Sequence, residues 1–162
     1  MPRFTIDHRL VLTFRLLMGW TFLYAGLTQV FSSDFTVTSF LAHTKTFHDI
    51  YAPLTAPSIA PSLTFAVSWG HLLIGLSLVS GLLVRVSGVF GVALLLTYWT
   101  AHMDFPYIES HVNFIIDYHI VYAVLTGYLV AANAGRVIGL DGWLAQRRMV
   151  STHDASMRPL AG

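Results

Sequence analysis

Four long apolar runs limit what this chain can fold into more than any other feature. They cover Leu10–Val30, Leu63–Val84, Val86–Ala101 and Val112–Ala132. A helix needs about 20 apolar residues to cross a ~30 Å hydrocarbon core. Three runs have that length, and the third reaches it by continuing through His102 and Met103, with Tyr98 and Trp99 at the headgroup level that aromatic rings favour. The rest of the composition agrees. Apolar residues make up 55% of the chain and charged residues 10%, where a soluble globular chain carries about 25% charge. So few charges cannot cover a water-facing surface. The expected fold is an all-α integral membrane four-helix bundle with spans at about 10–30, 63–84, 86–103 and 112–132. It forms a single domain over 1–150, followed by a polar tail at 151–162.

Orientation follows from the basic residues. With the N-terminus inside, the inner segments hold Arg3, Arg9, Arg85, Arg136, Arg147, Arg148 and Arg158, and the outer loops hold Lys45 alone. Seven against one predicts both ends inside. The first run is too long for a signal-peptide core, and no A-x-A site follows it, so it is read as a retained span. Between the second and third spans, Arg85 with Ser87 and Gly88 is read as the turn. The outer loop 31–62 is too long for a bare connector. Its Phe35, Phe40, Leu41 and Phe47 predict a short amphipathic helix, capped by Ser33 or Asp34, over the mouth of the bundle. Pro53, Pro57 and Pro61 are expected to prevent regular structure before the second span. After Gly139, Leu140–Leu144 with Trp143 reads as an anchor, and residues from about Ser151 onward as a tail that is either without fixed structure or pinned by a partner.

Two classes of function drop out. A net charge of +1 lacks the basic patch that nucleic acid requires. The absence of cysteine removes disulfides, thiol catalysis and cysteine-held clusters.

Ionisable groups inside a membrane are costly and mark function by default. At ~1.5 Å per residue, Arg15 lies about 8 Å inside the inner face, while His71, Asp117, His119 and Tyr24 lie about 8–12 Å below the outer one. Three spans therefore bring polar groups to one outer layer, surrounded by Trp69, Trp99 and His102. Arg15 is too far in depth to pair with Asp117. It is expected to snorkel to the inner interface or to meet the region of Tyr128 and Asn133. On a continuous fourth helix Asn113 and Asp117 share a face and His119 points away, so they are not expected to line one narrow pocket. Gly19 and Gly26 read as a close-packing stripe.

A quinone headgroup suits this layer best: donors for its carbonyls, rings to stack on, lipid access for its tail. The candidate cofactor-binding residues are Tyr24, His71, Trp69 and Trp99, with Asp117 and His119 as proton-relaying catalytic residues. A b-type haem on His71 and His119 is a weaker fit. A metal site from His102, Asp104, Glu109 and His111 has suitable ligand types but no repeated spacing, and no metal is assigned. Transport is disfavoured, since no half-repeat or broken helix is evident. The competing reading is that His71 and His119 only fix helix packing.

Four stretches resemble the DoxX/DoxD family of small four-helix membrane proteins: RLLMGWTFLYAGLTQVF from Arg15, HLLIGLSLVSGLLVRVSGV from His71, FPYIESHVNFIIDYHIVYAVL from Phe105, and AGRVIGLDGWL from Ala134. Two positions depart from the pattern. Gln29 stands where relatives often have Lys, and His71 where they often have an acid. The resemblance implies a multi-pass subunit of a prokaryotic cytoplasmic membrane. It would partner the lipid bilayer and other membrane subunits in a quinone-interacting redox complex similar to thiosulfate:quinone oxidoreductase. The alternative is a non-catalytic accessory subunit packed against a larger respiratory or photosynthetic complex.

Overall fold

The computed structural model describes residues 7–104, 107–108 and 116–156, with backbone alone at 107–108 and 150–156. Seven helices carry the described chain: α1 (His8–Val30), α2 (Thr38–Ala42), α3 (His48–Tyr51), α4 (Ala60–Ser80), α5 (Val84–His102), α6 (Tyr118–Ala131) and α7 (Leu140–Ser156). A two-residue antiparallel ladder pairs Met103–Asp104 with Tyr107–Ile108. The fold is all-α in every other respect. Three helices, α1, α4 and α5, are long and apolar enough to cross a membrane. In lipid a helix is the economical solution, because it satisfies its backbone polar groups within the segment.

The helix ends explain where the observed elements depart from the apolar runs. Asp7 starts α1 by accepting from the backbone N–H groups of Arg9 at 2.8 Å and Leu10 at 3.3 Å. Pro61 sits in the first turn of α4, where a missing N–H costs nothing, so α4 begins at Ala60 rather than Leu63. The turn expected at Arg85 lies earlier. Gly81 ends α4 in the left-handed conformation at φ +73°, a region open to glycine without steric cost. Leu83 follows at φ +57°. Arg85 belongs to the first turn of α5. The fourth apolar run yields only 14 helical residues, about 21 Å of helix, because α6 starts after Asp117; residues 112–115 lie outside the described residues. In the loop, the single amphipathic helix is replaced by α2, α3 and a 3₁₀ turn at Ala52–Thr55. Val37, not Ser33 or Asp34, is the N-cap of α2. Towards the C-terminus, α7 runs through Ser156.

Membrane helices gain little from hiding apolar surface from each other, so close van der Waals approach decides their pairing. The α1–α4 seam is the tightest, α5 packs chiefly on α6, and α4 touches α5 less. Glycine makes the first seam possible. A Cβ at Gly26 would overlap the backbone of Leu72 on α4, and one at Gly75 would overlap the backbone of Leu23 on α1. Each helix thus presses a glycine against the other's main chain. Val11, Met18, Phe22, Ile74, Leu78, Leu95, Ala123 and Leu129 form the core. Leu17, Trp20, Phe65, Leu73, Phe90 and Val124 face outward, as a lipid-facing surface requires.

At the end that carries Arg85 and Arg136, here the basic end, the chain closes on itself. Arg15 is 2% exposed. Its Nη1 donates to the carbonyls of Ala134 at 2.7 Å and Val137 at 3.0 Å, and its Nη2 to Ile138 at 2.8 Å. It meets the Asn133 end of the expected region, where it seats the segment that follows α6. Asp141 completes the closure. Its carboxylate accepts from the N–H of Leu83 at 2.9 Å and Val84 at 3.3 Å, while its own N–H donates to Gly81 at 3.0 Å. These bonds hold the strained Leu83 turn in place.

Candidate functional site

At the opposite end, the loop end, rings from three helices gather. On α4 the buried face reads Ser68, His71, Ile74, Gly75, Leu78, a 3–4 residue spacing that turns one stripe inward. His71 is buried, and its Nδ1 donates to the Val67 carbonyl at 2.9 Å. In a neutral ring that leaves Nε2 as the acceptor. The His71 ring stacks on Tyr98 of α5 at 5.6 Å between centroids and 10° between planes. Tyr98 meets His119 of α6 at 5.5 Å, and His119 stacks on His102 at 5.5 Å. His102 is exposed. A file of ring contacts therefore leads from the buried His71 to the exposed His102.

Asp117 and His119 do not point apart. Because α6 begins at Tyr118, Asp117 is its N-cap, and a cap residue folds its side chain back over the first turn. One carboxylate oxygen accepts from the His119 N–H at 2.7 Å and from His119 Nδ1 at 2.6 Å. Both residues are buried. A buried Asp–His pair fixes the imidazole tautomer. Asn113 lies outside the described residues.

The loop closes over this stack. Phe40 lies edge-on to Tyr98 at 5.6 Å and to His102 at 5.0 Å. The Tyr51 hydroxyl lies 2.5 Å from the Thr100 hydroxyl, and the Thr46 N–H donates to the Met103 carbonyl. A cavity of about 690 Å³ opens between α1, α4 and the loop, lined in part by Gln29, Thr64, Ser68, Phe65 and Trp69 and by none of the stacked rings; Ser68 is one turn from His71. The Gln29 side-chain oxygen is buried there with no hydrogen-bond partner among the described residues.

The sequence-predicted residues divide. His71, Asp117 and His119 come together. Tyr24 does not join them: it is 59% exposed and pairs with Trp20 on the outward side of α1. Trp69 lines the cavity beside Phe65 rather than the stack. Trp99 is half-buried, one residue and about 100° round the helix from Tyr98. Tyr98 and His102 are the members that sequence reasoning left out of the candidate set. Their i, i+4 spacing on α5 was the available signal. The haem geometry fits poorly, because Tyr98 bridges the two histidines where a porphyrin would need an open slot. Of the four metal-ligand candidates, Glu109 and His111 lie outside the described residues, and Asp104 pairs with Lys45 at 3.4 Å. Among the described residues, no group of three His, Asp or Glu could hold a metal.

Three membrane-compatible helices, a glycine-set seam and a lidded ring stack define a small helical membrane protein. The DoxX family pattern matches residues 10–103 of this chain, more than half of it, and the chain belongs to the DoxX family. No curated protein and no solved structure matches it.

Proposed function

We propose that this protein is the quinone-interacting membrane subunit of a redox complex, similar in role to the membrane subunit of a thiosulfate:quinone oxidoreductase. The observation that carries this reading is the buried Asp117–His119 pair, joined through Tyr98 to His71. The arginine bias supports both chain ends on the cytoplasmic side and the loop end outside. The headgroup would occupy the cavity beside Gln29, Ser68 and Trp69, with its tail leaving past the exposed Phe65. When bound, a quinone supplies an acceptor for two electrons and two protons, the electrons coming from an associated electron-transferring subunit. The rest is the work of this chain. Gln29 orients the ring through its amide. Ser68 and His71 stand one turn apart on the same face of α4, with Ser68 on the cavity wall and both donors tied to their own helix. Tyr98 continues the file, and His119 exchanges its proton at Nε2 while Asp117 holds Nδ1 and stabilises the imidazolium. His102 is where protons enter from the surface.

The alternative, a non-catalytic accessory subunit of a larger respiratory or photosynthetic complex, draws on one observation. The His71 ring is wedged between Phe22 at 5.8 Å and Tyr98 at 5.6 Å, with one nitrogen tied to its own helix, as a packing group would be. Purification in mild detergent followed by lipid extraction separates the two. Stoichiometric quinone, with turnover lost in His119→Ala while the complex still assembles, supports the redox role. No quinone, together with loss of assembly in the same variant, sinks it.

A further inference from the structure

The basic end carries a second site of different chemistry. Arg85, Arg136 and Arg148 line one open cavity of about 610 Å³ there, together with Leu83, Val86 and Leu144. Asp141 is the acidic member of the described wall, and both its oxygens already accept from the first N–H groups of α5. The exposed Arg85 and Arg136 against one engaged carboxylate leave a positive excess.

A second cavity, of about 540 Å³, runs along the loosely packed seam between α4 and α5, walled by Leu73, Leu76 and Phe90. The two cavities share Leu82, Leu83 and Val86, so the arginine pocket borders an apolar groove. Along α4 the groove extends from Gly70 to Ser80, about 15 Å of helix, or half of a ~30 Å hydrocarbon core. α7 marks the level of the bilayer surface. Its Trp143 is exposed, and the Arg147 guanidinium lies 3.9 Å over that ring, an arrangement suited to the headgroup region.

We propose that this end binds one anionic phospholipid, with its phosphate among Arg85, Arg136 and Arg148 and one acyl chain in the α4–α5 groove. A soluble anion would use the arginines and leave the groove idle. A zwitterionic lipid would use the groove and gain little from the charge excess. The adjoining cavities suit a ligand that is anionic at one end and one leaflet long.

The test uses the full chain, delipidated in mild detergent and titrated with dioleoylphosphatidylglycerol in mixed micelles. Melting is followed by tryptophan fluorescence and stoichiometry by native mass spectrometry. One phosphatidylglycerol is expected to remain bound per chain and to raise the melting temperature saturably. Dioleoylphosphatidylcholine and inorganic phosphate are expected to do neither. The double variant Arg85→Gln with Arg136→Gln should weaken phosphatidylglycerol by about 30-fold. Gly70→Leu should weaken it without any change of charge, since a side chain added there meets nothing within 4 Å and grows into the groove. Leucine also raises helix propensity at that position, so the variant should fold. Equal retention of phosphatidylcholine overturns the proposal. So does a saturable response to phosphate alone, or unchanged phosphatidylglycerol affinity in Gly70→Leu.

Discussion

Replacing Arg15 with methionine removes the clamp at the basic end and nothing else of comparable size. The guanidinium makes three bonds to main-chain carbonyls, at 2.7, 3.0 and 2.8 Å. A hydrogen bond to a charged group contributes about 1.5–3 kcal/mol, so the three together amount to about 4.5–9 kcal/mol. Methionine refunds part of this by ending the cost of burying a charge, several kcal/mol. It also takes the donor from the Val137 and Ile138 carbonyls, while Ala134 keeps the Val137 N–H, and leaves Asp141 without its nearby cation. The net loss is then about 3–5 kcal/mol. For a chain of this length each kcal/mol moves the melting temperature by about 2–4 °C, so a fall of about 10 °C is expected. With no cysteine in the chain, thiol-reactive dyes report nothing, but four tryptophans supply an intrinsic signal. Arg15→Lys keeps the charge without the planar fork that spans three carbonyls, and should fall between the two. Melting of Arg15→Met within about 2 °C of the parent would refute the idea that this residue seats the chain after α6.

The remaining predictions address the other parts of the molecule. Gly26→Ala and Gly75→Ala each drive a methyl into the backbone of the partner helix; each should cost about 1–3 kcal/mol or more, read as lowered melting in detergent. Asp117→Asn keeps a good N-cap, so stability should drop by less than about 1 kcal/mol, while quinone-dependent turnover falls at least about tenfold because the imidazolium loses its anion. Equal turnover in that variant counts against the relay. Asp141→Ala strips the cap from α5 and frees Leu83, and should cost about 1–2 kcal/mol; hydrogen exchange at the Leu83 and Val84 amides should rise before any global change.

Axial positions were legible in the sequence, and azimuthal ones were not. Apolar length and residue rise place α1, α4 and α5 within a few residues, and put His71 and His119 in one layer. Which way a side chain points round its helix needs a polar–apolar contrast between faces. α1 is apolar on every side, so Tyr24 and Phe22 look equivalent although one is outward and the other in the core. The turn at Gly81–Leu83 was masked for a related reason: Leu82 and Leu83 continue the apolar run although the backbone has already reversed. Asp117 misled because an acid within a hydrophobic run reads as a helix-interior residue. At the first position before a helix it reaches its neighbour two residues on.

The seat of Arg15 also dictates an order of events during synthesis. Its acceptors lie 119, 122 and 123 positions further along the chain. Arg15 leaves the ribosome long before the carbonyls it needs. Until residue 138 is made, the guanidinium has no dry place to go, so α1 must keep its first two turns at a watery boundary. The segment that follows α6 is what lets the first helix settle to its final depth. A chain truncated after Ala132 would carry every long apolar helix and still lack the piece that releases the first one into the bilayer.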